Sequence, residues 1–330
     1  MGDCRLRAIS KVLVTGGAGF IGSHLVDRLL AEGFEVTVLD NFCAGRMENI
    51  VCHRDVPEFH LVRGDVRDVG LVKKVVEDVD GVFNGAALVD VARSVEDPLL
   101  FNEINVVGTL NLLRACLDSD VRRFVFASSA AVYGDSKPSK KRETMLPRPV
   151  SPYAVSKLAA ENYVQVFHEA YGLDTVSLRF FNVYGPKQGL ASTYSGVITA
   201  FLSRLLNGQP PIIHGDGKQT RDFVHVTDVV SATVLALESV KAVGEVFNIA
   251  SGTAITVYEL AKMLQRITNT GRLKPVFTER RPGDIRHCSG VIRKAEELLG
   301  FHSKIQLEDG LSKLVKWRRH ALGVVEQSVF

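Results

Sequence analysis

Short apolar runs alternate with longer stretches in which apolar residues recur every three to four positions. Lys11–Thr15, reading Lys-Val-Leu-Val-Thr, is brief and β-branched, which predicts a buried strand. Glu35–Asp40, Phe59–Arg63, Val82–Asn84, Arg123–Ala127 and Thr175–Phe180 carry the same signal. Helical periodicity fills the spaces between them, over Phe20–Glu32, Val69–Asp78, Pro98–Asp118 and Pro152–Tyr171. Strand and helix in alternation predict a parallel sheet covered on both faces.

After Asn182 the alternation stops. Helical patterns recur near Gly196–Asn207, Thr227–Val240, Thr256–Thr268, Ile292–Leu299 and Leu307–His320, with short strand-like pieces between. The expectation is an α/β protein: a Rossmann, doubly wound parallel sheet over residues 11–181, with later segments free to join it. A smaller C-terminal α/β substrate lobe follows over 182–322, its boundary soft, and residues 1–10 and 323–330 are tails.

Composition narrows the partners. The chain has 330 residues, 46% hydrophobic and 23% charged, enough for one large domain or two. A net charge of +3 is too mild to argue for a nucleic-acid or membrane partner. There is no run of about 18 apolar residues and no signal-peptide layout, so a cytoplasmic protein is expected. The five cysteines lack CxxC or Cys/His metal spacing, and no metal is expected.

Two stretches carry chemistry. Gly16, Gly19 and Gly22 form a GxxGxxG between a strand and a helix, a context that lets backbone approach a pyrophosphate at a helix N-terminus. Asp40 ends the next strand, where a carboxylate can bond both ribose hydroxyls and repel a 2′-phosphate, so NAD is expected over NADP. Asp65 at the third strand's exit, and the small residues of Asn84–Leu88, either line that cofactor or serve close packing. The second stretch is Ser151–Lys157. Ser151 suits an N-cap and Pro152 a first turn, and Tyr153 and Lys157 then share one helical face. An ammonium beside a phenol favours the phenolate, and reaching neutral pH takes roughly 4 kcal/mol at about 1.36 kcal/mol per unit.

With these motifs the chain resembles the extended short-chain dehydrogenase/reductase family and, within it, the UDP-sugar 4-epimerases. The marks are Thr15–Gly22, Ser128-Ser-Ala-Ala-Val-Tyr-Gly134, Tyr153–Lys157, Arg179–Pro186, Arg221–Val226, Phe247–Gly252 and Arg281-Pro-Gly-Asp284. The resemblance implies Tyr153 as base, Lys157 as its tuning partner and Ser129 as the residue bonding the sugar's 4-hydroxyl. It implies NAD contacts at Gly16, Gly19, Phe20, Ile21, Gly22, Asp40, Asn41, Asp65, Val66, Gly85, Ala86, Ala87, Asn105, Tyr153, Lys157 and Phe180. It implies UDP-sugar contacts at Ser129, Asn182, His214, Arg221, Arg281, Asp284 and Cys288. The activity implied is 4-epimerisation through a transient 4-keto sugar, with NAD held tightly.

Related 4,6-dehydratases carry an Asp-Glu pair where this chain has Ala130 and Ala131, and methyl groups carry no proton, so epimerase is the reading. Cys288 stands where a tyrosine restricts some relatives to unacetylated sugars, which points to UDP-N-acetylglucosamine as well as UDP-glucose. UDP-glucuronate remains an alternative sugar, and an NAD-binding scaffold without chemistry an alternative class. Apolar residues nearly all round Pro98–Asp118 predict a helix buried on two sides. The family's dimer contact uses this helix and the Tyr–Lys helix, so a homodimer is expected.

Overall fold

Residues 9–189, 196–280 and 286–321 of the chain are described by a computed structural model. The first three strands are β1 (Lys11–Thr15), β2 (Glu35–Asp40) and β3 (Phe59–Arg63), followed by β4 (Gly81–Asn84), β5 (Arg123–Ser129), β6 (Lys140–Lys141) and β7 (Thr175–Phe180). The second half adds β8 (Asn182–Tyr184), β9 (Ile212–His214), β10 (Thr220–His225), β11 (Glu245–Ile249), β12 (Ala254–Thr256), β13 (Val276–Thr278) and β14 (Ser289–Gly290). Seven of them form one sheet in the order β11-β7-β5-β4-β1-β2-β3, every pair parallel. The direction of winding reverses between β1 and β4, the switch point where such sheets open a crevice at their carboxyl ends. β11 comes from the second half of the chain and completes the far edge.

The helices are α1 (Phe20–Ala31), α2 (Val69–Val76), α3 (Val91–Glu96), α4 (Pro98–Asn102), α5 (Gly108–Asp118), α6 (Pro152–Tyr171), α7 (Val197–Leu206), α8 (Val226–Glu238), α9 (Val257–Ile267) and α10 (Leu307–Ala321). A strand's side chains alternate between faces, and the core follows that rule. Val12, Val14, Val36, Val38 and Val125 point into the layer with Leu25 and Leu29 of α1 and Val229 of α8. Their neighbours Leu13, Leu39, Phe124 and Phe126 point into the opposite layer, with Val72 of α2, Leu112 of α5 and Val164 of α6. Each such side chain, fully buried, contributes about 1.5–3 kcal/mol.

A third cluster belongs to the lobe, where Phe201, Leu260, Leu264 and Leu314 of α7, α9 and α10 pack on Ile213 and Phe223. Its strands are short: β12-β10-β8 form one small sheet, and β13-β9 and β14-β6 are two-stranded pairs. The apolar stretch Pro98–Asp118 is helical throughout but not uniform. A π turn over Glu103–Val107 separates α4 from α5. Among the described residues no helix is long and apolar enough to cross a membrane.

Candidate active site

The expected site residues are scattered in sequence, but parallel pairing gathers many of them at one edge of the sheet. Gly16 follows β1, Asp40 ends β2, Gly85 follows β4, Ser129 ends β5 and Phe180 ends β7. In the glycine loop, Gly16 adopts φ +71°, and a Cβ on Gly22 would stand 2.2 Å from the Gly16 carbonyl oxygen. Loop and helix therefore pack at a distance only glycine allows. α1 starts after Gly19 with no side chain capping it, so its first-turn N–H groups are available to an anion.

Asp40 is buried, accepting from Ala18 N at 2.9 Å and Phe42 N at 2.8 Å. Burial raises its pKa and those two N–H groups oppose the rise. Asn41 donates to Asp65 at 2.9 Å. Arg67 adds two bonds of 3.0 Å to the same carboxylate, holding its pKa down at about 2. Val66 is buried beneath them. The loop after β4 is pinned from below, with Ala86 N donating to Thr15 Oγ1 at 3.2 Å. Thr15 in turn bonds Asn84, and Asn84 bonds Thr109. Asn105, in the π turn, braces the loop through both backbone groups of Leu88 and donates to Ser156 Oγ of α6 at 2.9 Å. Uncapped helix, close-packed glycines and a terminal carboxylate together fit a dinucleotide.

α6 carries the second half of the site. Ser151 Oγ accepts from Ala154 N at 3.2 Å, Pro152 occupies the first turn, and Gly172 ends the helix in the left-handed conformation. Tyr153 and Lys157 both lie on its buried face. Ser129 faces the Tyr153 hydroxyl, and its own Oγ accepts from Ala131 N at 3.2 Å. Lys157 Nζ donates to the Ala127 carbonyl at 2.7 Å and lies 4.8 Å from the Phe126 ring centre. The protein's own groups do not draw the phenol down as the Tyr–Lys spacing predicts. Burial raises Tyr153, an effect the neighbouring Ser129 hydroxyl opposes, and burial also pushes Lys157 down to about 7. The lysine is itself so desolvated that its charge is weakened before it can act on the phenol.

In the lobe, Asn182 lies exposed on β8 beside Phe223, and His214 on β9 bonds Thr278 across to β13 at 2.8 Å. Arg221 donates to the Thr220 carbonyl at 2.8 Å. Cys288 is buried against Ala130, Tyr133 and Phe181. Burial pushes its thiol up to about 11, against the nearby cations of Arg221 and Lys141. Arg281 and Asp284 lie outside the described residues. Asp90 caps α3, accepting from Arg93 N at 3.0 Å. Away from this edge, Asp27, Cys52 and His53 bring three ligand atoms within 4.8 Å, but Asp27 is already held by His53 and Lys187 at 2.7 Å each. Sequence reasoning quoted Ser128 and Arg179 within motifs but gave no role to them or to Glu161, a buried polar group next to Ser129 and Lys157. Its signal was the one charged residue inside the strand Thr175–Phe180.

A model of the NAD dependent epimerase/dehydratase family matches residues 12–250. The UDP-glucose 4-epimerase of Mycolicibacterium smegmatis is 38% identical over 312 residues, covering 94% of this chain and 99% of that one. Among solved structures, the UDP-N-acetylglucosamine 4-epimerase of Methanobrevibacter ruminantium M1, in complex with UDP-N-acetylmuramic acid, gives a TM-score of 0.91 at 37% identity, covering 96% of this chain and 100% of that one. The UDP-glucose 4-epimerase of Thermus thermophilus, in complex with NAD, gives 0.85 at 38% identity, covering 94% and 99%. Proteins named as UDP-glucuronic acid decarboxylases and dTDP-glucose 4,6-dehydratases are similar as well.

Proposed function

The chain belongs to the NAD dependent epimerase/dehydratase family and uses NAD, and within that family we propose that it is a 4-epimerase of UDP-sugars with Tyr153 as base. The observation that carries this reading is that Ser129 at the end of β5 faces the buried Tyr153 of α6 and is followed directly by Ala130 and Ala131. One proton path is present, and the two positions after it hold no acid or base for eliminating water.

The glycine loop, the α1 N-terminus and Asp40 would hold the dinucleotide, with Gly85–Ala87 and Phe180 lining it. When bound, NAD supplies a reversible hydride acceptor, so the overall reaction has no net oxidation. Ser129 orients the sugar's 4-hydroxyl toward the Tyr153 oxygen, and Tyr153 removes its proton. Lys157, fixed on Ala127 O, offsets phenolate formation in its protonated form, the form that burial weakens in the chain alone. The 4-keto sugar turns about its link to the diphosphate so that carbon 4 takes hydride back on its other face, and Tyr153 returns the proton to the 4-oxygen. Asn182, His214, Arg221, Arg281 and Asp284 grip the UDP part, where planar guanidinium groups pair two phosphate oxygens at once. With Cys288 in place of a bulkier side chain, the sugar pocket admits an N-acetyl group.

A second reading has one observation in its favour. Cys288, the proposed gate, lies in the field of both Arg221 and Lys141, which suits an anionic sugar such as UDP-glucuronate. The reading also includes a cytoplasmic homodimer. Val95, Leu99, Val155, Tyr163 and Val166 leave an apolar stripe exposed along α3, α4 and α6, with a groove of about 440 Å³ between Pro98, Pro152 and Val155.

The test is incubation with UDP-glucose, UDP-galactose, their N-acetylated counterparts and UDP-glucuronate separately, with products read by NMR. Interconversion of both plain and N-acetylated pairs is expected, and Cys288→Tyr should abolish only the second. Equal loss on both removes the gate but keeps the mechanism, turnover of UDP-glucuronate alone favours the second reading, and no turnover of any sinks the assignment.

A further inference from the structure

Three consecutive residues at the end of β5 each meet one residue of the buried face of α6. Ala127 O accepts from Lys157 Nζ at 2.7 Å, Ser128 Oγ donates to Glu161 Oε2 at 2.5 Å, and Ser129 faces the Tyr153 hydroxyl. Tyr153, Lys157 and Glu161 follow one another at intervals of four, so they form one stripe along the helix. Glu161 is 3% exposed and Arg179 4%. Arg179 stands on β7 directly opposite Ser128. Its Nη2 reaches Glu161 Oε1 at 2.6 Å and its Nε reaches Oε2 at 3.0 Å, a two-pronged ion pair. Its Nη1 bonds the Tyr133 hydroxyl at 2.8 Å, and Tyr133 donates on to Asn248 of β11 at 2.7 Å.

Stability does not require this arrangement, since a buried ion pair is often matched by a well-packed apolar pair. Direction is what it adds. A forked guanidinium holds the carboxylate in one geometry, and Ser128, bonded to that carboxylate, carries it to Ser129, the next residue. We propose that Glu161 and Arg179 are positioning residues that lock α6 against β5, so that Tyr153 and Ser129 are held in hydrogen-bond register. This rests on the reading of Tyr153 as base.

The test compares Glu161→Gln, the double variant Glu161→Leu with Arg179→Met, and Ser128→Ala. Each is followed by thermal unfolding, by kcat and KM for the UDP-sugar turned over, and by ultraviolet titration of the Tyr153 phenolate against a Tyr153→Phe blank. Glu161→Gln should unfold earlier, because it strands a buried guanidinium. The double variant should recover the wild-type midpoint while kcat stays down roughly tenfold to a hundredfold, the scale of a 1 Å misplacement. KM should stay within about twofold, because the UDP contacts lie in the other lobe, and the phenolate transition should move upward. Wild-type kcat and phenolate titration in the double variant overturn the proposal, since the pair is then only structural. If the double variant does not fold, Ser128→Ala with both quantities unchanged overturns it equally. Should the wild-type protein turn over no UDP-sugar, the functional reading fails while the phenolate titration still decides the positioning role.

Discussion

Lys157→Met should make the folded chain more stable at pH 6 and leave it unchanged or weaker at pH 10. Lys157 is 4% exposed, with one neutral partner, the Ala127 carbonyl. Burial pushes its pKa from 10.5 down to about 7. Below pH 7 both folded and unfolded chains carry the proton, and the folded one bears the full cost of burying the charge. Between pH 7 and 10.5 the unfolded chain holds more protons, so stability rises with pH at about 1.36 kcal/mol per unit. Above 10.5 the penalty is gone. The whole window corresponds to roughly 5 kcal/mol at that rate, against about 1 kcal/mol lost with the hydrogen bond to Ala127. The assay is urea unfolding of wild type and variant at pH 6, 7.5, 9 and 10, in protein stripped of nucleotide so that only the chain's own groups act. A wild-type-minus-variant difference that climbs by several kcal/mol across the window is expected. Parallel curves would mean that the ammonium is solvated or paired, and the account of Lys157 would be wrong.

Gly22→Ala should abolish NAD retention through purification, read as nucleotide absorbance, and lower the thermal midpoint, because its Cβ meets the Gly16 oxygen at 2.2 Å. Retention at the wild-type level would refute the close-packed loop. Asp80→Ala should cost roughly 1–3 kcal/mol at pH 6 and almost nothing near pH 2. Burial opposes the Asp80 charge, but bonds from Ser10, Lys11 and Arg122 hold its pKa at about 2. Its stabilisation is thus complete above 3.8 and lost as pH falls toward 2, and a pH-independent cost in urea unfolding would count against it. Leu99→Glu with Val155→Glu, at positions 75% and 52% exposed, should give a monomer mass by light scattering where the wild type gives a dimer. A wild-type monomer at micromolar concentration removes the proposed interface.

The sheet was legible because its strands are short, apolar and β-branched, and because the helices between them bury one stripe each. Glu35–Asp40, Thr175–Phe180 and Pro152–Tyr171 fall where their patterns end. Local punctuation decides those ends: a Ser151 cap and a first-turn Pro152 at one side, Gly172 at the other. α3 was not anticipated. Its six residues, Val-Ala-Arg-Ser-Val-Glu, are too few for a period and depend on the Asp90 cap. The π turn at Glu103–Val107 was equally hidden, because long-range bonds from Asn105 to Leu88 and Ser156 accompany it. Nor does any local pattern say that β11, some 65 residues after β7, pairs beside it; that is a property of the crossover through α8.

In the site the division runs differently. Spacing and resemblance single out residues there, but not their electrostatics. Tyr153, Lys157 and Ser129 could be singled out from spacing and resemblance, yet the direction in which the phenol shifts depends on how completely Lys157 is desolvated, which only the packed interior decides. Arg179 is the instructive case. All six positions of Thr175–Phe180 are buried, and an unpaired guanidinium in such a strand costs several kcal/mol. A charged residue in a run that must be a central strand therefore requires an acid nearby. The helix preceding that strand presents one on the Tyr153–Lys157 stripe, four residues beyond the lysine. Burial of an arginine and continuation of a helical stripe together specify the Glu161–Arg179 pair, and its geometry specifies Ser128. The support for the Tyr153–Ser129 pair was thus encoded one turn away from the motif that names it.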